Sequence, residues 1–337
     1  MPKKKSRIKT FYRAIRSPFE RLGVRLAAFV VPRLSLAGLL RLSRLLADIG
    51  FFFDRKGRRV AAANLRVICG RELSARRVRV LTRGCYRNMM RILLTIFWMT
   101  RDPHERNRRI AFLEDRAAQL LSENRPAITL SAHFGNWEVL SQTCETHGFH
   151  MTSVAKNVKG AGFTEQLTQA RAAIGQDILP QEGALRGLLH ALKHGSCVGL
   201  LVDQHTEIRD GGIWLDFFGL KACFSQGPAM LARMAKVPMI IGWSFPLKDG
   251  RYRVVSGRVF PFDAGARDVA KRTEEIIREF EHVIRRHPHL WSLNYMRWRY
   301  LIPGEDPARY PFYAKPARPA QYCQRTNETA SANRANT

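Results

Sequence analysis

Ala127-Ile128-Thr129-Leu130-Ser131 runs directly into Ala132-His133-Phe134-Gly135-Asn136-Trp137-Glu138, and this stretch decides the fold. The first part is short, apolar and β-prone, which suits a buried strand. Gly135 permits a sharp turn, Asn136 suits a helix N-cap, and Trp137–Thr146 continues with a helical pattern. The same alternation extends outward. Helical stretches are expected over Phe163–Ile174, Gly183–Lys193 and Ser225–Ala235, with a second buried strand at Cys197–Val202. Further strands are expected at Pro238–Phe245 and Tyr252–Phe260, then a long charged helix over Arg267–Arg286, stopped by His287-Pro288. Strands separated by helices predict an α/β fold with a largely parallel central sheet flanked by helices.

Upstream the texture is different. The 337 residues carry 56 Lys+Arg against 28 Asp+Glu, a formal charge of +28. Residues 1–110 hold 28 of those basic residues and only 6 acidic ones. That field attracts a polyanion: nucleic acid, an anionic bilayer or an acidic protein. With 45% hydrophobic residues the chain has material for a substantial core, so global disorder is excluded. From Phe19 to Phe53, bulky apolar residues recur among Arg21, Arg25, Arg33, Arg41 and Arg44, as in an interfacial amphipathic helix. A solvated helical pair is the alternative. Helices follow at Arg58–Ile68 and Ser74–Trp98, with Ser74 as N-cap.

A spanning helix needs roughly 20 mostly apolar residues, and Pro32, Arg33 and Arg41 interrupt every run that approaches this. The expected organisation is a basic helical membrane-associating region over 1–110, an α/β catalytic domain over 111–312 and an unstructured tail over 313–337. Six scattered cysteines without a Cys-x-x-Cys pair fit reduced thiols in a cytoplasmic setting.

His133 and Glu138 carry the clearest chemistry. On one continuous helix five residues turn about 500°, which leaves them roughly 140° apart. A strand–turn–helix can bring them together, with Glu138 in the first helical turn accepting a bond from a ring nitrogen. A carboxylate on one imidazole nitrogen makes the other a better base. Sites of open α/β sheets lie at the carboxyl ends of strands, where His133 falls. Asp203 and His205 lack a third ligand at useful spacing, so no metal is expected, and Asp203-Gln204 fit hydrogen-bonding residues on the site floor.

The block His133-Phe134-Gly135-Asn136-Trp137-Glu138 resembles the signature of the lipid A biosynthesis acyltransferases, whose relatives include the phosphatidylinositol-mannoside acyltransferases. The resemblance continues in order through Arg58-Arg59 to Asn64-Leu65, Asp203-Gln204, Phe217-Phe218-Gly219, Gly227-Pro228, His287-Pro288, Trp291 and Arg297-Trp298. It implies transfer of a fatty acyl chain from an acyl carrier protein or coenzyme A thioester to a glycolipid hydroxyl. His133 is then the general base, with Glu138 orienting it. Asn136, Lys156, Asp203, Gln204 and Arg297 are the implied substrate-binding residues. No cofactor and no covalent acyl-enzyme are implied. The place of action is the cytoplasmic face of the inner membrane, with an anionic bilayer and a carrier protein as partners. Lys156-Asn157 stands where many relatives have Arg-Pro, and Tyr295-Met296 where they have His-Arg, which leaves the acceptor and the acyl length open. The competing classes are a basic nucleic-acid-binding protein and a non-catalytic membrane-surface protein.

Overall fold

The computed structural model describes residues 22–155, 168–169, 171–173, 175–264 and 268–322. Its N-terminal part is helical: residues 22–30, then α1 (Leu36–Phe53), α2 (Arg55–Cys69), α3 (Ala75–Met99) and α4 (Pro103–Ile110). Ser35 caps α1 by accepting from the Gly38 N–H, and Ser74 caps α3 through Arg77 N–H at 3.3 Å. The buried stripe of α1, Leu39, Ser43 and Ala47, faces α3, and Trp98 Nε1 ties that helix to the Leu34 carbonyl at 2.8 Å.

The opposite faces are unusual. Residues 22–30 expose Leu22, Leu26, Phe29 and Val30, and α1 exposes Leu45, Ile49, Phe52 and Phe53. Both sets follow the i, i+4, i+7, i+8 spacing of a single helix face. Phe52 and Phe53 are 72% and 75% exposed. Among the described residues no helix is long and apolar enough to cross a membrane.

The remaining elements build an α/β body. In chain order they are β1 (Ala111–Leu113), α5 (Asp115–Glu123), β2 (Ile128–Ser131), α6 (Trp137–Thr146), β3 (Met151–Ala155) and β4 (Asp177–Pro180). There follow α7 (Ala184–Lys193), β5 (Cys197–Leu201), β6 (Gly212–Phe217), β7 (Leu220–Ser225), α8 (Gly227–Ala235), β8 (Met239–Pro246), β9 (Tyr252–Phe260) and α9 (Val269–Arg286). Seven strands form one sheet in the order β1-β9-β8-β2-β5-β3-β4. Every pairing is parallel except β8 with β9, so the sheet is largely parallel as the alternation predicts. The centre of the sheet is covered on both faces: β2 is buried at all four positions, with Ile128 and Leu130 on one face and Thr129 and Ser131 on the other. One core lies on the face covered by α8 and α9 and includes Ile128, Leu130, Val198, Phe280 and Trp291. A second, with Ala127, Leu140, Met151 and Cys197, lies under α6.

One expectation needs correction. The tail is structured at its start: Lys315–Pro316 pairs in parallel with Tyr300–Leu301, and the Gln321 carbonyl accepts from Trp214 Nε1. The segment after Asp203, for which the sequence offered no element, leads into the β6–β7 hairpin, with Phe218 and Gly219 at its turn. Of the helix expected at Phe163–Ile174, only residues 168–169 and 171–173 are among those described.

Candidate active site

β2 and β5 run side by side and end together, with Ser131 opposite Leu201. His133 follows the first and Asp203 the second, so parallel pairing brings residues seventy positions apart to one spot. The turn between β2 and α6 is tight. Gly135 has φ +59°, its N–H donates to the Leu290 carbonyl at 2.9 Å, and a β-carbon there would lie 1.7 Å from the Ser244 carbonyl oxygen. Only glycine fits. Asn88 of α3 donates to the Gly135 and Leu290 carbonyls at 2.9 and 3.1 Å, pinning the turn from outside. Asn136 caps α6 through Val139 N–H at 3.2 Å.

Asp203 is completely buried and organises the centre. Its Oδ1 accepts from the His133 backbone N–H at 3.0 Å and lies 2.6 Å from His133 Nδ1. Its Oδ2 accepts from Trp291 Nε1 at 2.8 Å and from Arg297 Nη2 at 2.5 Å. Arg297 is itself buried, stacks 3.5 Å over the Trp291 ring and donates to the Ser292 carbonyl at 2.6 Å. Burial alone would push the Asp203 carboxyl up. The neighbouring His133 and Arg297, by charge and hydrogen bond, outweigh burial and hold it far below the usual carboxylate range. A carboxylate can only accept, so it fixes the imidazole proton on Nδ1 and leaves a lone pair on Nε2. Gln204 Nε2 sits 3.1 Å from that His133 Nε2 and donates to it. The ring edge packs against Trp137, centroids 5.1 Å apart.

Glu138 occupies the first turn of α6, as expected, but its partner differs from the expected one. Its carboxylate accepts from Arg171 Nη2 and Nε at 2.6 and 2.9 Å and from Trp137 Nε1 at 3.0 Å. The carboxylate on the His133 ring is that of Asp203. The physical reason is reach: Asp203 arrives at the end of β5 beside His133, whereas Glu138 is turned toward Arg171 in the chain that leads to β4. Lys156 lies outside the described residues. Asp203, Gln204 and Arg297 are brought together with His133, whereas the Asn136 side chain is buried as the cap of α6. Arg171 and Trp291 are additions: nothing in the local sequence singled out Arg171, and Trp291 entered as one position of the family resemblance without a role in the site.

Asn64 confirms how the scattered motifs converge. It donates to the Leu293 and Tyr295 carbonyls at 2.7 and 2.8 Å and accepts from the Tyr313 hydroxyl. It thereby fastens α2 to the segment that carries Arg297. Among the described residues no group of three His, Cys, Asp or Glu side chains stands together as a metal site.

A largely parallel α/β sheet with a carboxylate-backed imidazole at its carboxyl end is an arrangement that can take a proton from a hydroxyl. The model of the bacterial lipid A biosynthesis acyltransferase family matches residues 10–300, and the chain belongs to that family. It is accordingly an O-acyltransferase of the lipid A type. No curated protein matches the chain.

Proposed function

We propose that the protein transfers a fatty acyl chain from an acyl carrier protein or coenzyme A thioester to a hydroxyl of a membrane glycolipid, a lipid A precursor, with His133 as general base. The observation that carries this reading is the tautomer fixed by Asp203, which turns a basic Nε2 toward the open side of the site. The acceptor hydroxyl replaces the Gln204 amide at Nε2 and gives its proton to the ring. The hydroxyl oxygen then bonds to the thioester carbonyl carbon, the C–S bond breaks, and the thiolate leaves with the proton from His133. Asp203 stays ionised and stabilises the transient imidazolium, while Arg297 and Trp291 keep its carboxylate in place. In this account Glu138 holds Arg171 and the wall of the site, and Lys156 contributes charge toward an acceptor phosphate.

Contact with the cytoplasmic face of the inner membrane is supported by the two exposed apolar stripes, whose neighbours Arg25, Arg33, Arg41 and Arg44 are also exposed. Arginine heads among apolar stems suit an anionic interface. Leu36 and Leu40 of α1 pack around Gly250, in the turn after β8, and β8 is parallel to β2, so the start of α1 lies toward the same end of the sheet as His133. Mass spectrometry of lipids from cells lacking the protein tests the reading. It predicts one glycolipid short of a single acyl chain, restored by the wild-type protein, and an unchanged lipid profile refutes it.

A further inference from the structure

Beside the catalytic turn, α6 and the sheet leave a narrow cleft. Its floor is made of small side chains standing abreast on three strands: Thr129 of β2, Gly199 of β5 and Ser153 of β3. A β-carbon on Gly199 would lie 2.9 Å from Ser153 Oγ and 3.2 Å from Met151 Cε, so the floor is low only because this residue has no side chain. Trp137, which touches the His133 ring, and the Glu138–Arg171 ion pair stand at the catalytic end. Gln176 closes the far end. It precedes β4, whose Asp177 pairs with Thr152, so it lies level with Met151. Gln176 is 95% buried by its 5% exposure, lines the cleft, and its Nε2 has no hydrogen-bond partner; Ser141 Oγ on α6 is also without one.

We propose that this cleft holds the acyl chain of the donor, and that Gly199 sets its width and Gln176 its length. The proposal rests on the acyl-transfer reading and adds the selection of chain length to it. The walls between the two ends are mainly apolar, with Leu140, Ile178 and Leu201 facing a chain rather than a headgroup. Gln176 works as a stop by its bulk: a shorter chain ends before the buried side chain, whereas a longer one must displace it.

Strand geometry converts this into a length. From Leu201 to the level of Met151 the cleft follows β5 back to Cys197. At about 3.3 Å per residue that is roughly 13 Å. A zigzag chain of carbon–carbon bonds near 1.5 Å advances about 1.3 Å per atom, so roughly ten carbons fit beyond the catalytic end. In an apolar slot each methylene beyond the fit is discriminated by about 10-fold or more.

The test uses the full-length protein, a homologous series of saturated acyl thioesters for transfer, and the matching free fatty acids for binding by calorimetry. Gly199→Val should move both optima to shorter chains, Gly199→Ala should move them less, and Gln176→Ala should move them to longer ones. Opposite shifts from the two positions support the proposal. Folded Gln176→Ala and Gly199→Ala proteins with the wild-type profile in both assays overturn it. If the wild-type protein transfers no chain while fatty-acid binding shifts as described, the acyl-transfer reading fails and the cleft assignment stands.

Discussion

Replacing Asp203 by asparagine perturbs the site at the group on which its geometry depends. The native carboxylate accepts four hydrogen bonds, from the His133 backbone, His133 Nδ1, Trp291 and Arg297. An amide offers one accepting oxygen, and its NH₂ must face either the imidazole N–H or the indole and guanidinium donors. Facing the ring, it favours the wrong tautomer, with the proton on Nε2 and no base toward the acceptor. Facing Arg297, it leaves a buried guanidinium without its counter-charge, a loss of about 3–5 kcal/mol when one partner of a buried pair is removed. Loss of a correctly poised general base lowers the rate by about 100- to 10,000-fold. The assay is single-turnover transfer from an acyl thioester, run beside a thermal melt. Asp203→Asn should fall within that range and melt at a lower temperature. A variant that melts like wild type and turns over within about threefold of it refutes the Asp203–His133 relay.

Acid stability follows from the same residue. The folded Asp203 carboxyl lies below its unfolded value of about 3.9, so its contribution is fully present above that pH and is lost as pH falls toward the folded pKa. Urea unfolding midpoints measured downward from pH 5 should drop less steeply in Asp203→Asn than in wild type. His150 bridges Glu145 and Asp177 at 2.9 Å each, and those two bonds raise its pKa. Its contribution is present below about 6.5 and fades as pH rises through the folded value, so His150→Gln should flatten stability over that window. Glu138→Gln should weaken transfer less than loss of His133 and lower the melting temperature, because it breaks the bidentate pair with Arg171; equal catalytic losses would return Glu138 to the ring. Phe52→Ser with Phe53→Ser should reduce partitioning to anionic vesicles at physiological salt while detergent-dispersed acceptor is still acylated; unchanged partitioning removes the stripe from the interface.

The strand–turn–helix at residues 127–146 was legible because every cue is local: an apolar run, a glycine with no room for a side chain, an asparagine cap and a helical pattern. The helices 75–99 and 269–286 were legible for the same reason. Strands β3 and β4 were not. Met151–Ala155 is short and bears hydroxyls, and Asp177–Pro180 is an edge strand ending in proline, so neither presents an apolar run. The β6–β7 hairpin was hidden by its turn, in which Phe218 takes φ +53° ahead of Gly219 at +76°. Such turns ordinarily announce themselves by asparagine or glycine at both places. The same contrast holds in the site. His133 and Glu138 are neighbours in sequence and invited pairing. The true ring partner is set by β2–β5 register, a non-local fact. Arg171 lay in an alanine-rich stretch that nothing distinguished from an ordinary helix surface.

Acyl transfer by His133→Ala tests the central claim most directly, measured with a thioester donor and a glycolipid acceptor and read as the mass of the acylated product. Wild type should add one chain, and the variant should be slower by about 100- to 10,000-fold while keeping its circular dichroism and vesicle binding. Product formation within threefold of wild type by a folded His133→Ala protein would contradict the account.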